Sequence, residues 1–296
     1  DHVDCESTTG IQGVGGQNAF LSLYDFATDY IWADGVSSKN YDTTMNSIVH
    51  MMGTTSNIHL MYSDNHSALK KACNKLGIPR RPAQPGDHQS NGVIEGVNRR
   101  LLQGGRVLLM QAGLPNCFWI YAIMHWCVLR NTLEVPGHDS PYFMKTQERF
   151  TGLRLPFGIG VYYYPNDTKK GGVHDSKFQT RLSYGILLGY VMGPGHVWTG
   201  MYMVADLTDF VNRSLHQGAK HTQYAHVAKP HLVRSIRLEK DGYRFPLGPR
   251  YTQQNETLEG VENHINEVRP SAHELAGLIH ATQQNCNRVM RQEDPD

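Results

Sequence analysis

Gln84-Pro-Gly-Asp-His-Gln-Ser-Asn-Gly-Val-Ile-Glu-Gly-Val-Asn-Arg-Arg100 is the stretch on which the reading of this chain turns. Pro85-Gly86-Asp87 and Asn91-Gly92 are backbone-breaking groups, so it opens as a turn. Ile94, Val97, Leu101, Leu108 and Leu109 then recur near helical spacing, which predicts a helix with a buried stripe. Glu95 sits one turn into that helix, and Asn98 and Arg99, three and four residues on, share its face. A carboxylate where a polar loop becomes a helix, with an arginine one turn later, suits a metal ligand beside a phosphate contact. Taken alone, Glu95 is more simply a solvated first-turn acid that favours the helix dipole. The rest of the chain has to decide.

The chain has 296 residues and a net charge of +1, enough for one large or two smaller domains and neither polybasic nor acidic overall. The distribution of charge says more. Up to Ser63 the acids Asp1, Asp4, Glu6, Asp25, Asp29, Asp34 and Asp42 face Lys39 alone. From Asp64 to Met110 the bases Lys70, Lys71, Lys75, Arg80, Arg81, Arg99, Arg100 and Arg106 outnumber Asp64, Asp87 and Glu95. A basic middle beside isolated carboxylates suits an anionic substrate held near a metal, although an ordinary charged helix surface has the same composition. Cys5, Cys73, Cys117, Cys127 and Cys286 are odd in number and widely spaced, which predicts reduced, mostly buried thiols in an intracellular protein. No apolar run reaches membrane-spanning length, so no membrane partner is expected. His216, His221, His226 and His231 recur every five residues, a spacing that keeps one face on neither helix nor strand, and they are not read as metal ligands.

In chain order, strands are predicted around Val3–Cys5, Ala19–Asp25, Tyr30–Ala33 and Ile58–Tyr62, with a helix over Tyr41–Met52 between the last two. A helix from about Ser67 to Leu76 closes on Gly77, and Ile78-Pro-Arg80 restarts extended chain. The long helix of the opening stretch is expected to break softly at Gly104-Gly105. Another helix starts at Pro115, with Phe118, Ala122, Trp126 and Leu129 inward, and ends near Asn131. This order predicts an α/β layer with helices on both faces of the sheet. In such sheets sites gather where strands end. Asp4 on the first strand, Asp64 at the end of the fourth and Glu95 on a covering helix could therefore converge on a pair of divalent ions, which take oxygen ligands and promote phosphodiester displacement without a serine or cysteine nucleophile.

Asp64-Asn65, a short helix, and then Gln89-Ser-Asn-Gly-Val-Ile-Glu-Gly-Val-Asn-Arg99 together resemble the retroviral integrase catalytic core, nearest to the copia-type LTR retrotransposon integrases. Leu21-Ser-Leu-Tyr-Asp-Phe-Ala-Thr-Asp-Tyr-Ile-Trp32 resembles that family's second and third strands, and Pro115-Asn-Cys-Phe-Trp-Ile-Tyr-Ala122 with Asn131 resembles its next helix. Ser140-Pro-Tyr142, Pro156-Phe-Gly158, Lys177-Phe-Gln-Thr-Arg181 and Gly185-Ile-Leu-Leu-Gly-Tyr190 resemble the way out of the core and the small β domain that follows. The match runs from Asp1 to about Phe210. His66 stands where the family usually has Gly, and Gly96 where an Arg often follows the glutamate. The chain reads as a fragment or a diverged copy of a Pol polyprotein, without the family's N-terminal zinc module.

The resemblance implies a ribonuclease H-like fold, with a mixed five-stranded sheet and helices on both faces, followed by a small mostly-β domain. The implied divisions are a catalytic core over 1–135, a connector over 136–155, the β domain over 156–245, and a linker with a C-terminal helix over 246–296. It implies that Asp4, Asp64 and Glu95 hold Mg²⁺ or Mn²⁺, that a DNA 3′ end is trimmed, and that its hydroxyl then attacks target DNA. Lys70, Lys71, Arg99 and Arg100 would hold phosphates, with Asn65, Gln89, Asn91 and Asn98 near the DNA end. The implied partners are a transposon end, a target duplex and further copies of the chain, and the implied place of action is the nucleus. A remnant that binds nucleic acid without catalysis, or a nuclease that cuts and cannot join, fits the same motifs.

Beyond the core, strands are predicted at Gly158–Tyr164, Ser183–Tyr190 and Met201–Asp206. Tyr162, Tyr163, Tyr164, Lys169 and Lys170 could meet nucleic acid, but aromatic residues in a strand more often belong to its core. Ser271-Ala-His-Glu274 is a capping box opening a C-terminal helix of unassigned role.

Overall fold

A computed structural model of the chain describes residues 1–5, 11–54, 58–83, 88–134, 136–165 and 182–255, with the side chains of 88–91 outside that description. Alternation along β2 (Ala19–Asp25) sets the layering of the first half. Leu21 and Leu23 point to one side and pack with Ile48, Met51, Leu69, Ala72, Cys73 and Ile78. Phe20 points to the other and joins Val97, Leu101, Ile120 and Ile123. The first group brings in α1 (Tyr41–Met52) and α2 (Ser67–Leu76), the second α3 (His88–Ala112) and α4 (Trp119–Thr132). Two apolar faces on one strand thus demand helices on both sides, as expected. Each fully buried Leu or Ile in these layers contributes roughly 1.5–3 kcal/mol by transfer from water.

β1 (His2–Asp4), β2 and β3 (Tyr30–Val36) form an antiparallel sheet in the order β1-β2-β3, and β4 (Met61–Ser63) pairs in parallel with β5 (Arg80–Pro82). The five strands expected of the first half are therefore present, but hydrogen-bonded as separate sheets of three and two rather than as one five-stranded sheet. β1 and β4 are three residues each, and their junction is made by side chains: the His2 and His66 rings lie 4.9 Å apart. At the far edge, Asn131 of α4 acts as a substitute strand for β3. It accepts from Ile31 N at 3.1 Å and donates to Ile31 O at 2.6 Å, satisfying an edge that would otherwise be unpaired.

α1 and α2 fall where the periodicity places them. Asn40 caps α1 by accepting from Thr43 N at 2.9 Å, and Gly77 closes α2 in the left-handed region. Other expectations are corrected. The fourth strand begins at Met61, because His59 and Leu60 are exposed and offer no buried alternation. Helix α3 already starts at His88, so Gln89, Asn91 and Gly92 are helical rather than part of a turn. Gly104 and Gly105 do not break it. A Cβ on Gly104 would sit 2.4 Å from the Trp126 indole, and one on Gly105 2.8 Å from Ile123, so both glycines exist to let α4 approach.

The second half is a five-stranded antiparallel sheet in the order β10-β6-β7-β8-β9, from β6 (Gly160–Tyr163), β7 (Ser183–Met192), β8 (Trp198–Asp206), β9 (His231–Val233) and β10 (Ile236–Arg237). The predicted linker after Pro246 is not one over its first residues: α5 (Gly248–Asn255) buries Tyr251 beside Leu247, and Arg250 donates to Phe210 O. Phe157, Ile159 and Ile186 to Leu188 share one apolar core with α4, and residues 1–254 form a single compact unit. The capping box at Ser271, and Lys169 and Lys170, lie outside the described residues. Tyr163 is buried in the sheet, whereas Tyr162 and Tyr164 are exposed.

Candidate active site at the junction of β1, β4 and α3

The site is built where β4 stops. Arg80, from the neighbouring β5, donates to Ser63 Oγ at 3.0 Å, to Asp64 O at 2.7 Å and to Asn65 Oδ1 at 3.4 Å. This clamp fixes the turn that carries Asp64, and the sequence reading missed its role. Asp64 is half-buried, and its Oδ1 accepts from His66 N at 3.3 Å. His66, the departure from the family pattern, caps α2: its Nδ1 accepts from Ala68 N at 3.4 Å.

Asp64 faces the start of β1. Burial takes His2, the first residue of β1, down to about 4, helped by the neighbouring His66 and opposed by the Asp64 carboxylate. Helix α3 is tied to the same point, because Asn98 Nδ2 donates to Asp1 Oδ2 at 3.0 Å. Glu95, one turn earlier on α3, is exposed.

Asp4 ends β1 and is half-buried, and its Oδ2 takes an ion pair from Lys39 at 3.1 Å. Among the described residues, the one group of three metal-ligating side chains with ligand atoms all within 4.8 Å of one another is Asp34, His50 and His196. Asp4, Asp64 and Glu95 are not drawn that closely together. No spacing in the sequence signals the Asp34, His50 and His196 group.

The predicted phosphate contacts divide between two helices. Lys70 and Lys71 are exposed on α2, and Arg99 and Arg100 are exposed on α3, across the sheet from it. Asn98 is buried and Asn65 exposed. Gln89 and Asn91 have helical backbone, and their side chains lie outside the described residues. Among the described residues no helix is long and apolar enough to cross a membrane.

No family model matches the chain. It is 28% identical over 129 residues to the "Retrovirus-related Pol polyprotein from transposon TNT 1-94" of Nicotiana tabacum, covering 41% of this chain and 10% of the relative. It is 28% identical over 159 residues to the "Transposon Ty1-DR6 Gag-Pol polyprotein" of Saccharomyces cerevisiae, covering 48% of this chain and 9% of the relative. The chain thus spans about a tenth of these relatives. Among solved structures, the catalytic core domain of BIV integrase aligns with a TM-score of 0.34 and 18% identity, over 42% of this chain and 82% of that one. A simian T-cell lymphotropic virus intasome chain, in complex with PP2A regulatory subunit B56 gamma, aligns at 0.37 and 14%, over 62% and 65%. By sequence, the chain is a relative of the retrotransposon Pol polyproteins, as the resemblance read from its motifs implies.

Proposed function

We propose that this chain is the catalytic and adjoining β region of an integrase-type polynucleotidyl transferase, which processes a DNA 3′ end and joins it to target DNA. The observation that supports this reading is the junction itself: Asp64 at a strand end near His2 of β1, with α3, which carries Glu95, tied through Asn98 to Asp1 just before β1. Asp4, Asp64 and Glu95 are the residues that would hold Mg²⁺ or Mn²⁺, and three carboxylates match the oxygen preference of hard cations. Such ions, when bound, supply Lewis-acid charge to the oxygens of a phosphodiester. Lys39 would have to release Asp4 first. Arg99, Arg100, Lys70 and Lys71 would anchor phosphates on two sides of the junction, with Asn65, Asn98, Gln89 and Asn91 near the DNA end. The active form would be an oligomer on DNA, acting in the nucleus.

The Asp4–Lys39 pair and the spread of the three acids favour a second reading, a remnant that binds nucleic acid without joining it. A strand-joining assay on the complete protein separates the two. In the first reading the parent joins a transposon-end 3′ hydroxyl to a second duplex, and Glu95→Gln loses joining yet still binds DNA, because glutamine keeps the shape without the charge. Salt-sensitive DNA binding with no joining by the parent, Lys39→Ala or His66→Gly gives the remnant. Absence of salt-sensitive binding removes both.

A further inference from the structure

Three polar side chains meet away from the Asp64 junction. Asp34 lies on β3, His50 in the last turn of α1, and His196 in the turn over residues 193–197 that joins β7 to β8. Their ligand atoms lie within 4.8 Å of one another. His196 is fully buried, and neither of its ring nitrogens has a hydrogen-bond partner. Asp34 uses Oδ1 to accept from Trp32 Nε1 at 2.8 Å, while Oδ2 is buried and unpartnered. Buried polar atoms of native proteins are nearly always satisfied, so three unsatisfied atoms converging on one point call for an explanation.

The backbone adds a second anomaly. His196 has φ +59°, a conformation that residues bearing a Cβ rarely adopt. It is held there by close packing of the turn on α1, since a Cβ on Gly53 would come within 2.6 Å of Gly195 N. Strained backbone that aims a polar side chain inward is characteristic of built sites. The His196 ring packs 4.4 Å from Trp32 and 5.0 Å from His50, an enclosure with aromatic walls. As a spacer, an apolar side chain would fill this position without leaving polar atoms unmatched.

We propose that Asp34, His50 and His196 bind one divalent transition-metal ion, Zn²⁺ by ligand type, which pins the 193–197 turn of the β region onto β3 and α1. Two imidazoles and one carboxylate suit Zn²⁺, with a fourth position left for water. Tetrahedral bonds of about 2.0–2.1 Å space the ligand atoms about 3.3 Å apart, so side-chain rotation of an ångström or so closes the cluster. Lys145 is the opposing charge. It lies near enough to His196 to disfavour its protonation, but its ammonium is held by Met51 O at 3.1 Å. The site ties the 193–197 turn to β3 and α1 and lies apart from the carboxylates of the proposed active site.

The test is Zn²⁺ and Co²⁺ titration of the complete chain, with metal content measured after dialysis. An Asp4→Asn, Asp64→Asn, Glu95→Gln background removes the carboxylates of the proposed active site as donors. One equivalent of Zn²⁺ should remain in that background, Co²⁺ should give the visible bands of a tetrahedral site, and the melting temperature should rise with Zn²⁺. His50→Gln and His196→Asn, the latter tolerant of a left-handed backbone, should each weaken binding by at least about 100-fold, since loss of a ligand exceeds loss of a supporting contact. Unchanged Zn²⁺ affinity in either variant overturns the proposal. Should a variant fail to fold, the imidazole NMR signals of His50 and His196 in the parent decide, and no shift on adding Zn²⁺ overturns it equally.

Discussion

Replacing Asn131 with leucine should destabilise the protein severely, although the two side chains share the same branched shape and number of heavy atoms. Asn131 is fully buried on α4 and holds both outward-facing backbone groups of Ile31, its Oδ1 accepting from Ile31 N at 3.1 Å and its Nδ2 donating to Ile31 O at 2.6 Å. Leucine leaves no cavity, and its bulkier methyl groups at a fully buried site add an overpacking cost to that of the lost bonds. Each backbone group left buried without a partner costs about 1–3 kcal/mol, and two of them about 2–6 kcal/mol. Against a typical domain stability of about 5–15 kcal/mol, that is a large share. Arg130 adds little to the difference, because its guanidinium also pairs with Asp29 through the backbone oxygen and the carboxylate. Urea unfolding followed by tryptophan fluorescence gives the stability difference at constant m-value, and amide exchange reports Ile31 directly. A variant within about 1 kcal/mol of the parent, with the Ile31 amide still protected, would refute the edge-capping role.

His125 is buried with Nε2 at 2.8 Å from Leu155 O, and burial lowers its pKa from 6.5 to about 4. A depressed histidine pKa favours the neutral folded form, so its contribution is complete above pH 6.5 and is lost as pH falls toward 4, by roughly 3 kcal/mol in total; His125→Gln, which keeps the hydrogen bond without titrating, should flatten stability against pH over that window by one proton. The two kinds of glycine in α3 should respond oppositely. Gly104→Ala places its Cβ 2.4 Å from Trp126 and should cost about 1–3 kcal/mol in thermal melts. Gly96→Ala meets nothing within 4 Å and should stabilise by up to about 1 kcal/mol; equal effects at both sites would contradict the close-packing account of Gly104.

Local chemistry made much of the fold legible in the sequence. The apolar spacing of Met45, Ile48 and Met52 predicts α1, and Gly77 in its left-handed conformation ends α2 where a C-cap is expected. Aromatic and aliphatic enrichment in Ala19–Asp25 predicts a strand, and the order of strands and helices predicts helices on both faces. These features depend on neighbours a few residues apart, where side-chain periodicity and φ preference act directly. The order of motifs around Asp64 and Glu95 likewise pointed to the relatives that the chain resembles.

Tertiary contacts decided the rest. Gly104 and Gly105 read as a weakness in the helix, and only the approach of Trp126 and Ile123 turns them into a packing surface. The polar run after Pro246 reads as linker until Tyr251 finds the core. Asp4 reads as a metal ligand, and Lys39, thirty-five residues away, pairs with its carboxylate. Asp34, His50 and His196 share no period, because their proximity depends on a β-turn packing onto a helix from the other half of the chain. Contacts between distant residues leave no local pattern, since either partner's own neighbours would look the same without them.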